Sequence, residues 1–412
     1  MGQRGTTADV AGLGVTTEFE PDVMEVLVAT VRRAVRGEAA FAGTDTLLAE
    51  LVMGDSEAGA VIAPGMRKSG GLSGFIQARA GLGWVSEDEA GGGPGARSDE
   101  VEVEAAWREA WWRFGLGLRG SARDGVPAVP PVMSGAMRSC LLRALASARA
   151  EGTVSVRCRH VARALLELPD SRAREALLLR RLDTAEALDR LDAEVAGSGA
   201  ASERPESYGV LLLRRAGTVG RSGNRLSRAF TSWTAQSGLN GSPVLFAVNV
   251  EATRQAVRCG RGTAEPVDLL LGTLALDRAL AVAGHVLPEG LAAANAASAV
   301  LRRHGVRQGA LVASAVASVP AVPANPAVSA VSAVSAGGGA DRAEGERARL
   351  SVAAERAVAV ARLRAAERGS PTVGTVHLLS ALLDDAGVAE LLAAEQADVG
   401  ALRGELDGLP GA

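Results

Sequence analysis

Three features of the 412-residue sequence predict an all-helical fold built from an internal repeat. Apolar residues recur at helical spacing along several segments. A pair of helices starts at residues 19 and 43, again at 133 and 157, and again at 350 and 374, so the separation is 24 each time. The chain is 47% hydrophobic but only 3% aromatic, so Ala, Leu and Val must fill the core, which suits closely packed helices.

The first two copies of this helix pair lie in the N-terminal half. Copy one runs from Phe19 to Val52, and residues 43–48 open its second helix. Copy two begins a helix at Met133-Ser134 that ends at Gly152, and residues 156–161 lead into its second helix. The copies recur at roughly 110-residue intervals, which is the signature of duplication.

The last two copies lie in the C-terminal half. Copy three is the weakest, with a first helix predicted at Val250–Val257 and Pro266 at the first turn of the second helix, where its missing N–H is not needed. In copy four, Gly369 ends the first helix and Thr375 is predicted to be the N-cap of the second. The predicted buried stripe of that first helix consists of Leu350, Ala354, Ala357, Val358, Ala361 and Ala365.

An insertion between copies one and two contains a charged helix from about Asp99 to Phe114. This helix carries Trp107, Trp111 and Phe114 on one side. In one interpretation the helix docks its aromatic side chains on the first domain. In the other, the three residues form an exposed surface that binds a partner, since Trp is common in interface hot spots. The solvent accessibility of Trp107 and Trp111 separates the two.

Two further segments are predicted to connect helical regions. Residues 197–242 are rich in Gly, Ser and Arg and indicate a connector with one short helix near 225–233. Residues 308–340 carry no charge and contain Pro320, Pro323 and Pro326. The prolines and the Ala-Val-Ser composition predict an extended or disordered linker rather than a membrane span.

On these residues the chain resembles the Clp N-terminal (Clp R) repeat domain, the helical substrate- and adaptor-binding module of Clp unfoldases, especially of the ClpC type. The family's half-repeat opens with an aromatic-Thr pair and enters its second helix through Gly-Thr-Glu-His-Leu-Leu. Copy one matches at Phe19, 43–44 and 47–48, and copy four matches at 350–351, 374–375 and 377–379. The resemblance covers roughly 260 residues.

Two half-repeats make one domain in that family, so the resemblance implies two all-α, pseudo-duplicated domains. Domain 1 is predicted at 19–196 and domain 2 at 243–409. A tail at 1–18 precedes domain 1, whose half-repeats at about 19–84 and 133–196 flank an insertion at 85–132. A linker at 197–242 follows. In domain 2, half-repeats at about 243–305 and 347–409 flank a low-complexity linker at 306–346.

The AAA+ ATPase modules of the unfoldases have no counterpart in the sequence. Lys68 is the only lysine and follows Arg67, so there is no phosphate-binding Gly-x-x-x-x-Gly-Lys-Ser/Thr loop. His160 and His377 occupy the family's helix-start histidine position, and we interpret them as hydrogen-bonded structural residues rather than metal ligands. No pattern pairs a nucleophile with a base. We therefore expect no enzyme activity, no cofactor and no metal.

ClpC-type domains as a family bind phosphoarginine, and the resemblance implies that the acidic residue of Gly-Thr-Glu-His carries this recognition. Only Asp45 keeps an acid there; Arg159, Val267 and Val376 replace it in the other copies. Thr44 and Asp45 are therefore the candidate phosphoarginine- or peptide-binding residues, with at most one weak site, in the first domain. A purely structural role for Asp45 stays open, because acids are common in the first turn of helices.

The predicted function is recognition without catalysis, as an adaptor, decoy or regulator of Clp-dependent degradation. Its expected partners are Clp ATPase and protease components, adaptors or client proteins. The alternative is a scaffold or ligand-binding protein no longer coupled to Clp. A net charge of −3 argues against nucleic acid as a partner. Three scattered cysteines suit a reducing compartment, and the N-terminus lacks a signal-peptide core, so we expect a cytoplasmic protein without a membrane partner.

Overall fold

The fold of the chain is all-α. The computed structural model describes residues 16–39, 41–54, 56–66, 70–89, 97–118, 130–197, 204–220, 242–317 and 349–409. Within these ranges it contains nineteen α-helices and four strands of two residues each. The chain divides into two compact units. The N-terminal unit contains the described residues of Thr17–Glu203, and the C-terminal unit contains Thr16 and the described residues of Arg204–Ala321 and Asp341–Ala412.

The N-terminal unit holds copies one and two and the insertion helix. Copy one has four helices, α1 (Pro21–Arg36), α2 (Thr44–Met53), α3 (Glu57–Ile62) and α4 (Gly71–Leu82). The insertion forms α5 (Arg97–Leu118). Copy two again has four helices, α6 (Gly135–Ala150), α7 (Cys158–Glu167), α8 (Arg172–Leu179) and α9 (Thr184–Gly197). All of these helices contribute side chains to a single apolar core.

The C-terminal unit holds copies three and four and one additional helix, α10 (Tyr208–Arg215). Copy three consists of α11 (Pro243–Arg258), α12 (Pro266–Val282), α13 (Glu289–Ala292), a 3-10 turn (Ala293–Asn295), α14 (Ala297–Arg303) and α15 (Gln308–Ala317). Copy four consists of α16 (Val352–Glu367), α17 (Thr375–Leu382), α18 (Ala386–Ala394) and α19 (Val399–Asp407). A second apolar core joins these helices, except α13 and the 3-10 turn, which contribute no buried residue to it.

The four copies share one helix register. Each first helix has 16 residues. The first helices begin at residues 21, 135, 243 and 352 and the second at 44, 158, 266 and 375, so the offset is 23 in every copy. Copy three therefore keeps the same spacing as the others, and the prediction that its first helix starts at Val250 is wrong. That helix starts at Pro243, because Ser242 caps it by accepting a hydrogen bond from Leu245 N at 3.3 Å.

Short parallel strands connect the two copies of the N-terminal unit reciprocally. β1 (Glu18–Phe19), which precedes the first helix of copy one, pairs with β4 (Ser155–Val156), which precedes the second helix of copy two. β2 (Phe41–Ala42), which precedes the second helix of copy one, pairs with β3 (Val132–Met133), which precedes the first helix of copy two. A parallel bridge between Ala264 and Leu350 makes the corresponding link in the C-terminal unit. Each copy therefore supplies backbone partners to the other copy of its unit.

Two segments assigned to linkers contain packed helices. α10 lies inside the predicted 197–242 linker and packs on α11 and α12, with Val210 and Leu213 fully buried. The predicted 306–346 linker begins with α15, whose Leu311 and Ala315 are in the core. The uncharged composition of 308–317 reflects burial rather than disorder there. The short helix predicted near 225–233 and most of the 308–340 segment lie outside the described residues.

Candidate functional site

The N-terminus of α2 places the two predicted ligand-binding residues, Thr44 and Asp45, against a buried acid from the insertion. Asp88 is fully buried, and its carboxylate accepts hydrogen bonds from Thr44 N (2.8 Å), Thr44 Oγ1 (2.5 Å), Ser134 Oγ (2.6 Å) and Arg172 N (3.0 Å). Its backbone oxygen accepts from Ala136 N at 2.8 Å. Asp88 therefore joins the start of α2 to the starts of α6 and α8.

Neither candidate residue presents its side chain to solvent. Thr44 is fully buried and Asp45 is 6% exposed. Burial, and then the charge of Asp88, raise the pKa of Asp45, while Arg172 lowers it. Asp45 Oδ1 has no hydrogen-bond partner among the described residues. A ligand at this helix start would have to displace Asp88, since Asp88 already takes the first amide of α2.

In the other copies, too, the second helix has no free first amide, because a side chain of the same unit accepts its hydrogen bond or a proline takes its place. The first amide of α7, Cys158 N, donates to Asp22 Oδ2 at 3.2 Å. The first amide of α17, Thr375 N, donates to Asn295 Oδ1 at 3.0 Å. α12 begins with Pro266, as predicted, and has no N–H at that position. No second helix in the described structure offers a free first amide to an anion.

The helix-start histidines act as backbone caps. His160 Nδ1 accepts a hydrogen bond from Arg157 N at 2.8 Å, and His377 Nδ1 accepts one from Gly374 N at 3.1 Å. Burial lowers the pKa of both rings, which agrees with an unprotonated Nδ1. Gly374, not Thr375, is the N-cap residue of α17, so the predicted N-cap is wrong by one position. A Cβ at position 374 would collide with the carbonyl of Ala294, which explains the glycine.

The aromatic residues of α5 face the core of the N-terminal unit. Trp107 is 5% exposed and Phe114 is 4% exposed, and both belong to the core cluster. Trp111 is half-buried and packs against the same cluster. Trp107 Nε1 donates to Pro131 O at 3.0 Å. The structure therefore favours the docking interpretation, and Trp107 and Phe114 do not form an accessible partner surface.

α5 fills a groove between the first helices of the two copies, which we call the first-helix groove. It packs against both α1 and α6. In each of these two helices, the side chains six and ten residues after the helix start are apolar and fully buried. They are Leu27 and Val31 on α1, and Leu141 and Leu145 on α6. Acids on α5 bind the rim, with Arg149 Nη1 donating to Asp99 Oδ2 at 2.6 Å and Arg138 paired with Glu104.

No described helix occupies the equivalent groove in the C-terminal unit. Between α11 and α16 lies a cleft of about 380 Å³, lined by Asn249, Arg349, Leu350, Glu355, Val358 and Arg362. The counterparts of Leu27, Val31, Leu141 and Leu145 are Asn249, Thr253, Val358 and Arg362. α10 does not occupy this groove. It packs on α11 and α12, where Ser207 Oγ donates to Glu251 Oε1 at 2.7 Å.

Two polar atoms of this cleft lack a hydrogen bond within the part of the chain that the structure describes. Asn249 Oδ1 and Arg362 Nε are buried atoms without a hydrogen bond among the described residues. The side chains of Arg349 and Glu355 likewise form no ion pair within the described ranges. Buried polar atoms are usually satisfied, so this cleft combines an apolar wall with hydrogen-bonding groups that a bound segment can use. It is the site that the sequence did not indicate.

Metal binding and membrane insertion find no support in the part of the chain that the structure describes. No group of three or more His, Cys, Asp or Glu side chains there has the arrangement of a metal site. None of the described helices combines the length and the apolar character that crossing a bilayer requires.

Comparison with known proteins identifies one segment. The family model for the Clp repeat (R) N-terminal domain matches residues 349–410. This segment, which contains α16 to α19, is similar to a Clp repeat. No curated protein and no solved structure matches the chain. The other three copies share the helix register of the matched segment, with the 16-residue first helix and the offset of 23 described above.

Proposed function

We propose that this chain is a non-catalytic protein-binding adaptor, decoy or regulator of Clp-dependent protein degradation in the cytoplasm. Its partners would be Clp ATPase or protease components, their adaptors or their client proteins. The observation that carries the proposal is the segment similar to a Clp repeat at 349–410, whose first helix forms one wall of an open cleft. A cleft with an apolar wall and a few convergent polar groups is a common binding site.

The absence of a phosphate-binding loop from the sequence supports a role without ATP hydrolysis, since Lys68 is the only lysine and lies in no such motif. The protein would then act by occupying a surface of a Clp component or of its client. Competition of this kind needs no chemical step. The internally capped second helices favour the groove, rather than a helix N-terminus, as the surface used.

Affinity capture tests the proposal. Tagged full-length chain, incubated with purified Clp ATPase and proteolytic core from the same cells, is expected to retain the ATPase in a stoichiometric complex. A tagged unrelated helical protein of similar net charge is the control. Failure to retain the ATPase, an adaptor or a degradation client would favour the alternative, a scaffold that is no longer coupled to Clp.

A further inference from the structure

We infer that the outer face of α16, the exposed side of this helix, pairs antiparallel with α16 of a second copy of this chain. The two helices are related by two-fold symmetry in such a pair, so every contact occurs twice. This inference goes beyond the proposed function and does not rest on it. It follows from the spacing, size and charge of the exposed residues of α16.

The outer face of α16 carries a stripe of exposed residues at the spacing of a coiled coil. The stripe consists of Val352, Arg356, Ala359 and Leu363, at alternating steps of four and three, which places them on one side of the helix. Val352 is 77% exposed and Leu363 is 63% exposed. The core stripe from Ala354 to Ala365 lies on the opposite side of the same helix. Packing of the core therefore does not determine the residues of the outer stripe.

The other three first helices do not carry this pattern. Where α16 has Leu363, the equivalent residues are Arg32, Ala146 and Arg254. Where α16 has Val352, the other helices begin with proline or glycine. Large apolar residues at both ends of the stripe are therefore particular to α16, and the shared helix register of the four copies does not require them.

The order of residues in the stripe favours an antiparallel pair. In that arrangement Leu363 of each copy contacts Val352 of the other. Arg356 of each copy then contacts Ala359 of the other, and the small alanine leaves room for the aliphatic part of the arginine while its charged end stays in water. A parallel pair would place Arg356 against Arg356 of the second copy, so like charges would meet at the centre of the contact.

Two charged residues beside the stripe support the same alignment. Glu355 and Arg362 flank it on one side, two helical turns apart. The alignment that joins Leu363 to Val352 also brings Glu355 of each copy beside Arg362 of the other, so two identical ion pairs form. Neither side chain has an ion pair within the described ranges, and Arg362 Nε is a buried atom without a hydrogen bond there. A single alignment therefore pairs both the apolar residues and the charges.

The oligomeric state of the full-length chain tests the inference. Sedimentation equilibrium across the micromolar range is expected to show an equilibrium between monomer and dimer. Glu355→Arg and Arg362→Glu should each weaken the dimer about ten-fold, because symmetry converts two attractive pairs into two repulsive ones. Glu390→Arg makes a matched charge change at an exposed position of α18 and should leave the equilibrium unchanged.

A mixture of the two charge variants is a sharper test. The Glu355→Arg chain carries two positive side chains at the paired positions and the Arg362→Glu chain carries two negative ones, so each repels its own copy and attracts the other. Their equimolar mixture should therefore dimerise about as tightly as wild type, and so should the double variant. Leu363→Glu should abolish the dimer, because it places a charge in each apolar contact. Matching circular dichroism spectra confirm that each variant is folded.

The inference is overturned if the wild-type chain stays monomeric throughout this range, since another protein or a segment of this chain would then be the occupant of the outer face. It is also overturned if Glu355→Arg and Glu390→Arg weaken a dimer equally. A mixture of the two charge variants that dimerises no more tightly than either variant alone would overturn it too, because the contact would then lie on another surface.

Discussion

Asp88 is expected to stabilise the N-terminal unit, because its carboxylate and backbone oxygens accept hydrogen bonds from the starts of three helices. Replacing it with Ala leaves two backbone amides, Thr44 N and Arg172 N, without their acceptor in a buried site. Each unsatisfied amide costs about 1–3 kcal/mol. Relief of the repulsion between Asp88 and Asp45 offsets part of this cost, so we expect Asp88→Ala to lower the free energy of unfolding by about 2–4 kcal/mol.

Asp88→Asn separates the charge from the backbone conformation. Asp88 has φ of 63°, a region that Asn tolerates and Ala disfavours. The Asn variant keeps one acceptor oxygen but places an amide NH2 group near the donors. It should therefore lower the free energy of unfolding by less than Asp88→Ala does, about 1–2 kcal/mol. Glu87, an exposed acid beside it, is the control, and Glu87→Ala should change stability by less than about 0.5 kcal/mol.

Urea denaturation followed by tryptophan fluorescence measures these differences. Trp84, Trp107, Trp111 and Trp112, four of the five tryptophans, lie in the N-terminal unit, so the signal reports mainly on that unit. If Asp88→Ala proves no more destabilising than Glu87→Ala, the three helix starts do not depend on this carboxylate and the reasoning is refuted.

Three further outcomes are expected. Trp107→Ala should lower the free energy of unfolding by about 3–5 kcal/mol. Leu116→Ala, at an exposed position of the same helix, should lower it by less than about 1 kcal/mol. Equal losses in the two variants would contradict the packing of α5 on the core. Because burial raises the pKa of Asp45, the native state holds that proton more tightly than the unfolded chain. Stability should therefore fall as pH rises from the ordinary aspartate range through the raised pKa, and Asp45→Asn should be more stable than wild type above it. An Asp45→Asn variant no more stable at pH 7 would refute this. Calorimetric titration of phosphoarginine into the full chain should show weak binding or none, and binding that survives Asp45→Ala would show that the family's recognition residue does not carry over.

The repeat and the helical class could be predicted from the sequence because they depend on local signals. The stripe of α16 from Ala354 to Ala365 is buried as its spacing predicted, but Leu350, the first residue of the predicted stripe, precedes the helix and is half-buried. Copy three was underestimated because Asn249 and Thr253 interrupt the apolar face of α11 at the positions where α1 has Leu27 and Val31. Apolar spacing fails to predict a helix where a face of that helix carries polar residues instead of core residues.

The candidate site could not be located in the same way. Thr44 and Asp45 lie at a helix start, as predicted, but the acid that covers them, Asp88, is 44 residues from Thr44 and belongs to an insertion with no family pattern. Long-range contacts of this kind leave no local periodicity. The open groove is visible only when the two units are compared, since the same helix positions are covered by α5 in one and by no described helix in the other.

The rate of substrate degradation by a purified Clp unfoldase and its proteolytic core tests the central claim most directly. Adding the full-length chain at stoichiometric amounts should change that rate, while the chain alone hydrolyses no ATP, because it would compete for a client, an adaptor or the unfoldase itself. An unchanged degradation rate, together with no detectable complex, would contradict the account and favour the scaffold alternative.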